Sequence, residues 1–191
     1  MKRNFLKNNF KGIIMISAAL LIIAVLAGSL SAVFLNEEHN ENIYRYLSAF
    51  FADYSENINK SAVCRRSFEM NIRLFIPLVI SGFFAAGTIV SFLCIIMKGF
   101  VWGFCGGIYI KYYGINGILL SAASFPSYIL VIVPIILFTG LSMEFRGEKD
   151  KKRGIVYYMI ISFFMLILFS CSALLDGYAA CSAISAVIPR L

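Results

Sequence analysis

The sequence predicts an all-α protein, a polytopic bundle of about five transmembrane helices. Three observations predict it. Hydrophobic residues make up 60% of the 191. Charged residues make up 14%, where a soluble domain carries about 25%. The charges also gather between long uncharged runs instead of being spread along the chain. Mean hydropathy is +0.84. A water-soluble domain of this size could not hide so much apolar surface. The arithmetic excludes a secreted disulfide scaffold, a disordered tail and an ordinary cytosolic enzyme, and makes the whole chain one membrane domain with the lipid bilayer as its solvent.

The first span is expected over 13–35, an uncharged run of roughly 34 Å as a helix, enough to cross about 30 Å of hydrocarbon. Lys2, Arg3, Lys7 and Lys11 precede it with no acid among them. A cleaved signal peptide begins the same way, but its apolar stretch is about 7–15 residues, so an uncleaved anchor is the better reading. Further spans are expected over 74–97, 99–118, 122–143 and 154–175. The 99–143 stretch carries a single charge, Lys111, and two crossings fit it only around a tight turn. Gly114, Asn116 and Gly117 supply that turn chemistry, since glycine and asparagine tolerate positive φ. Either the third helix continues through Lys111, or it is short or broken within a protein-lined cavity. A broken or re-entrant feature is expected near 110–126.

The outer loop 36–73 contains one amphipathic helix, over about 41–58. Ile43, Leu47, Phe50, Tyr54 and Ile58 recur at helical spacing with Phe51 and Tyr46 beside them, while Glu41, Arg45, Asp53 and Glu56 take much of the rest. Such a face lies on the membrane surface, packs on its own bundle or docks a partner. The candidate partner-binding residues are Ile43, Leu47, Phe50, Phe51 and Tyr54. The inner loop 144–153 is basic, and its expected role is topological, with anionic-lipid contact second.

With five crossings and the amino end inside, the inner pieces 1–12, Lys98 and 144–153 hold ten basic residues. The outer pieces 36–73, the Lys111 turn and 176–191 hold seven over more than twice the length. The bias places the N-terminus in the cytoplasm and the C-terminus outside. Trp102, Tyr157 and Tyr158 are expected at the inner interface, Tyr112 and Tyr113 at the outer one. The formal net charge of +7 does not form a basic stripe with interleaved aromatics, so nucleic acid is not an expected partner.

Small residues recur at four-residue spacing. Gly99, Gly103 and Gly107 make one row, Ala24, Gly28 and Ala32 another, and Ser81 with Ala85 and Gly82 with Ala86 two more. Such rows let helix backbones approach closely in lipid, within one chain in the first instance and between copies, as a homo-oligomer, in the second. Catalytic patterns are absent from the sequence: it has no HExxH, GxSxG or phosphate-binding Gly-rich loop. The single histidine, His39, reads as a solvated loop residue. The cysteines Cys64, Cys94, Cys105, Cys171 and Cys181 form no CxxC pair and read as small buried hydrophobes. No catalytic, cofactor or metal residues are expected. Among ionisable groups Lys111 alone is a candidate for the span interior, and snorkelling would bring it to the surface.

Lys98-Gly99-Phe100-Val101-Trp102-Gly103-Phe104, then Gly114-Ile115-Asn116-Gly117, then Ser124-Phe125-Pro126, resembles the stage II sporulation protein M family. The basic amino end, a span closing at Asn36 and the Phe50-Phe51 pair of the outer loop are similar as well. The chain departs from the family pattern after Pro126, where Ser127 and Tyr128 stand in place of an amide or histidine. The resemblance implies a non-enzymatic membrane scaffold of endospore formation, active in forespore engulfment. It would recruit and localise peptidoglycan hydrolases at the septal membrane, with stage II sporulation proteins P and D as partners. The alternative is a membrane permease or channel subunit for an unknown solute, with unwound backbone near 114–126 lining the path.

Overall fold

The computed structural model describes residues 2–56, 59–84, 87–147 and 151–187, with side chains described over 10–51, 59–84, 87–141 and 154–186. Ile58, Ala85, Ala86 and Lys149 lie outside the described residues, as do the side chains of Asp53, Tyr54 and Glu56. The described chain is all-α: α1 (Lys2–Val33), α2 (Glu37–Glu56), α3 (Lys60–Ser81), α4 (Gly87–Tyr113), α5 (Ile115–Gly147), α6 (Lys151–Leu174), a π-helical turn (Leu175–Ala180) and α7 (Cys181–Val187). In hydrocarbon no water is available to pair with backbone groups, so an apolar chain satisfies them internally by forming helix. Among the described residues four helical stretches are long and apolar enough to cross a membrane: Phe10–Val33, Gly87–Tyr113, Ile115–Leu141 and Gly154–Ala186. The protein is a multi-pass membrane protein.

The helix directions follow from which residues meet. The Leu21 and Ala24 level of α1 meets Gly99 of α4, and the Ser29 and Ala32 level meets Gly107, so α1 and α4 run parallel. A chain that leaves α1 at one end and re-enters α4 at the other must return between them, and α3 makes that return. Asn71 of α3 meets Phe169 of α6, and Val79 meets Tyr158, so α3 runs antiparallel to α6 along the bundle. Its N-terminal two-thirds carries Arg65, Arg66, Glu69 and Arg73, which is why hydropathy does not mark it as a span.

The expected second span over 74–97 is therefore two pieces. Its first residues end α3, a turn follows at Gly82–Phe84, and its remainder opens α4. One consequence concerns Lys98, which was expected in an inner loop. It instead lies within α4, roughly 16 Å from the first residue at 1.5 Å per residue. Trp102, expected at the inner interface, also lies in mid-helix and stacks on Tyr128 with ring centroids 4.7 Å apart. Tyr158 is a core residue 2% exposed, whereas Tyr157 is exposed.

The α4–α5 hairpin turns where the sequence indicated, with a narrower break. Gly114 has φ +55°, the left-handed conformation glycine adopts without strain, and its N–H bonds back to the Ile110 carbonyl at 2.9 Å. α5 then runs unbroken through Pro126 and Pro134, so no re-entrant loop occupies 115–126. The core lies between α3, α4, α5 and α6, built on Leu78, Ile95, Ile135, Phe138, Tyr158 and Phe169.

Candidate functional site

The glycine rows of α1 and α4 are two sides of one seam. A Cβ at Gly103 would lie 2.1 Å from the Val25 carbonyl oxygen, and one at Gly28 would lie 2.2 Å from that of Phe100. At Gly99 and Gly107 the side chains of Ala24 and Ala32 sit 3.0 and 2.9 Å away. The seam is formed within one chain. Phe104, next to it, stacks on Phe100. Gly117 begins the return of the hairpin, buried against the Tyr109 backbone, with Asn116 half-buried beside it.

Lys111 closes the seam at the C-terminal end of α1. Its ammonium donates to the carbonyls of Ala32 and Val33 at 3.2 Å and to Asn40 Oδ1 at 3.0 Å. The α1 C-terminus carries unpaired carbonyls and a partial negative charge, and a cation there satisfies both. Tyr112 Oη donates to the Asn40 carbonyl at 2.7 Å, so α2 is tied down where it starts. Further along α2, Phe51 is 7% exposed and packs edge-on against Tyr113 at 5.6 Å. Of the face read from the periodicity, Ile43 and Leu47 are half-buried, Phe51 is spent on the chain's own bundle, and Phe50 remains 45% exposed. His39 is exposed on the first turn of α2.

Beneath Phe50 and Phe51 lies a cavity of about 550 Å³, lined mainly by apolar side chains with Arg66, Ser67 and Asp176 among them. It shares Ser67, Met70, Tyr109, Ser124 and Asp176 with a deeper cavity of about 470 Å³. Lys98, Asn71, Ser127, Tyr128 and Ser172 line the deeper one. The π-helical turn holds Asp176, whose Oδ2 accepts from Ser67 Oγ. Inserted π turns recur at functional sites because they shift one side chain out of the α register. Ser172 Oγ donates to the Ser127 carbonyl at 3.0 Å, and Asn71 Nδ2 to the Phe169 carbonyl at 3.1 Å, fixing the cavity wall. Reading the sequence missed Lys98, Asp176 and Ser127 as cavity residues. The available signal was the Gly82 and Gly87 pair, a turn cue that moves Lys98 from loop to mid-helix.

Among the described residues no group of three or more His, Cys, Asp and Glu could hold a metal ion. The cysteines are free thiols, with Cys181 buried but Cys105 and Cys171 exposed on the bundle surface, unlike the buried positions expected for all five.

The model of the family described as stage II sporulation protein M matches residues 12–180, most of the chain. The chain belongs to that family. Membership makes it a sporulation-related membrane protein of a generally non-catalytic family. The match begins just before the apolar part of α1 and ends at the last residue of the π turn, so it takes in the seam, the hairpin and all the lining of the deeper cavity, while Cys181 and Ile184 of the other cavity lie beyond it. No curated protein and no solved structure matches the chain.

Proposed function

We propose that this chain is a non-enzymatic membrane scaffold of endospore formation, which recruits and localises peptidoglycan hydrolases at the septal membrane during engulfment. The observation that carries the reading is the family match over 12–180. A bundle whose outer end is capped by a tethered helix with exposed aromatic groups supports it. The partners would be stage II sporulation proteins P and D, which supply the chemistry. The N-terminus would be cytoplasmic and the C-terminus outside. Even without Lys98 in the count, the basic residues of 1–12 and 144–153 outweigh those of the other end per unit length.

The recruiting surface would be Leu47 and Phe50, together with the exposed Tyr46, since Phe51 is engaged inside the chain. Leu47→Glu with Phe50→Glu should reduce co-purification of the two hydrolases from sporulating membranes while membrane insertion stays normal. Recruitment at the wild-type level would remove this surface. A wild-type pull-down retaining neither hydrolase would remove the scaffold reading itself.

The permease reading loses its first ground, because α5 is helical through Pro126. The cavity around Lys98 gives it another, since ionisable residues inside a membrane bundle mark solute and ion paths. Solute flux across vesicles of the purified protein would favour it over the scaffold.

A further inference from the structure

We propose that the deeper cavity binds a small zwitterion of the amino-acid class, its anionic group on the Lys98 ammonium and its own ammonium on the Asp176 carboxylate. These two residues are the charged lining of that cavity, one of each sign. Lys98 enters it from mid-helix on α4 and Asp176 from the π-helical turn. Each acts on the other electrostatically, yet they are not in contact: among the described residues the ion pair within 4.0 Å is Arg65–Glu69. Among those residues the Lys98 ammonium makes no hydrogen bond, and Asp176 accepts only from Ser67, through Oδ2. Both side chains are part-exposed, unlike the Ser127 and Tyr128 hydroxyls, which are closed off. Opposite charges held apart inside a membrane bundle are costly unless something polar lies between them. A ligand carrying both signs satisfies both groups at once. A simple anion or cation satisfies one and is repelled by the other.

The neutral lining fits the same ligand. Ser67, Ser124 and Ser172 each spend their hydroxyl proton within the protein, on Asp176, the Ser121 carbonyl and the Ser127 carbonyl. The Asn71 amide nitrogen donates to the Phe169 carbonyl. What these groups keep is chiefly acceptor capacity, which suits an ammonium. Trp102 and Tyr109 line the same space, and aromatic rings attract a cation. Donation to the anionic group falls to Lys98. The volume of about 470 Å³ is that of a small-ligand site, and the cavity continues into the outer one past the shared Ser67 and Asp176. A free solute suits this depth better than a lipid headgroup. Headgroups lie at the membrane surface, whereas Lys98 is roughly 16 Å from one end of α4 and 22 Å from the other.

The test uses the full chain in phosphatidylcholine nanodiscs at fixed ionic strength and reads the thermal unfolding midpoint. Glycine, γ-aminobutyrate and ε-aminocaproate are titrated in turn, because they hold the two charges at increasing separations. Butyrate and butylammonium are the single-charge controls. At least one zwitterion should raise the midpoint saturably, and neither control should. Neutralising one wall should then switch the preference. Lys98→Gln should weaken zwitterion binding about tenfold, the loss of one charged hydrogen bond, and admit butylammonium. Asp176→Asn should weaken it equally and admit butyrate. Lys98→Arg keeps both charges and should keep the zwitterion. If the neutral variants do not fold, the wild-type series decides alone. No saturable shift with any of the three zwitterions means that the cavity holds water only, and overturns the proposal. So does a wild-type shift that either control reproduces, or one that both neutral variants keep in full. Hydrolase recruitment enters none of these readouts.

Discussion

Single residues carry the seam and its closure. A side chain at Gly103 meets backbone on the facing helix, so one methyl group forces α1 and α4 apart. Gly103→Ala should destabilise the bundle by about 1–3 kcal/mol, the usual cost of overpacking, read as a lower unfolding midpoint in detergent. Gly12→Ala is the control, because a Cβ there has nothing within 4 Å, and its midpoint should not fall. At the same end of the seam Lys111→Met would leave the Ala32 and Val33 carbonyls without the ammonium, while Asn40 Oδ1 would keep Tyr112 Oη as donor. A loss of about 1–3 kcal/mol is expected in the same measurement. A midpoint unchanged by Lys111→Met would mean that water caps α1 equally well.

Elements divide the work between packing and presentation. Phe51 fixes α2 to the hairpin, and Phe50, its neighbour, faces the outer cavity and stays partly exposed. Phe51→Ala should free α2, raising labelling of a thiol placed at Ser48 and protease cutting of the outer loop. Phe50→Ala should leave both unchanged. Much of this was legible in the sequence. The rows on α1 and α4 and the Gly114 turn are local patterns, and they lie where the spacing placed them; the rows from Ser81 and Gly82 instead run into a turn, with Ala85 and Ala86 outside the described residues, and on α2 it is Phe51, not Phe50, that is buried. The packing partner of each row was not legible, since spacing says that a helix approaches closely but not which one. Lys98 was misread because the run 74–97 is apolar on both sides of a turn, so nothing in its hydropathy marks the break at Gly82–Phe84. α3 was misread for the converse reason. Its N-terminal two-thirds is charged, and its traverse is fixed by tertiary contacts with α6 through Asn71 and Val79, which no window of sequence contains.

At the scale of the whole molecule, α3 decides the topology. Hydropathy alone finds four crossing stretches, and an even number leaves both termini on one side of the membrane. The parallel pairing of α1 with α4 needs a return between them, and α3 supplies it beside α6; we propose on that ground that the chain makes five traverses. An odd number separates the termini, and in the orientation we propose from the basic bias the N-terminus is inside. In that proposed orientation α2 and the mouth of the cavities lie at the outer end, where extracytoplasmic partners of a scaffold would meet it. The most direct measurement is a pair of terminal reporters in intact cells, one active only in the cytoplasm and one only outside it. Five traverses predict an N-terminus that reports inside and a C-terminus that reports outside; both termini reporting from the same side would contradict them.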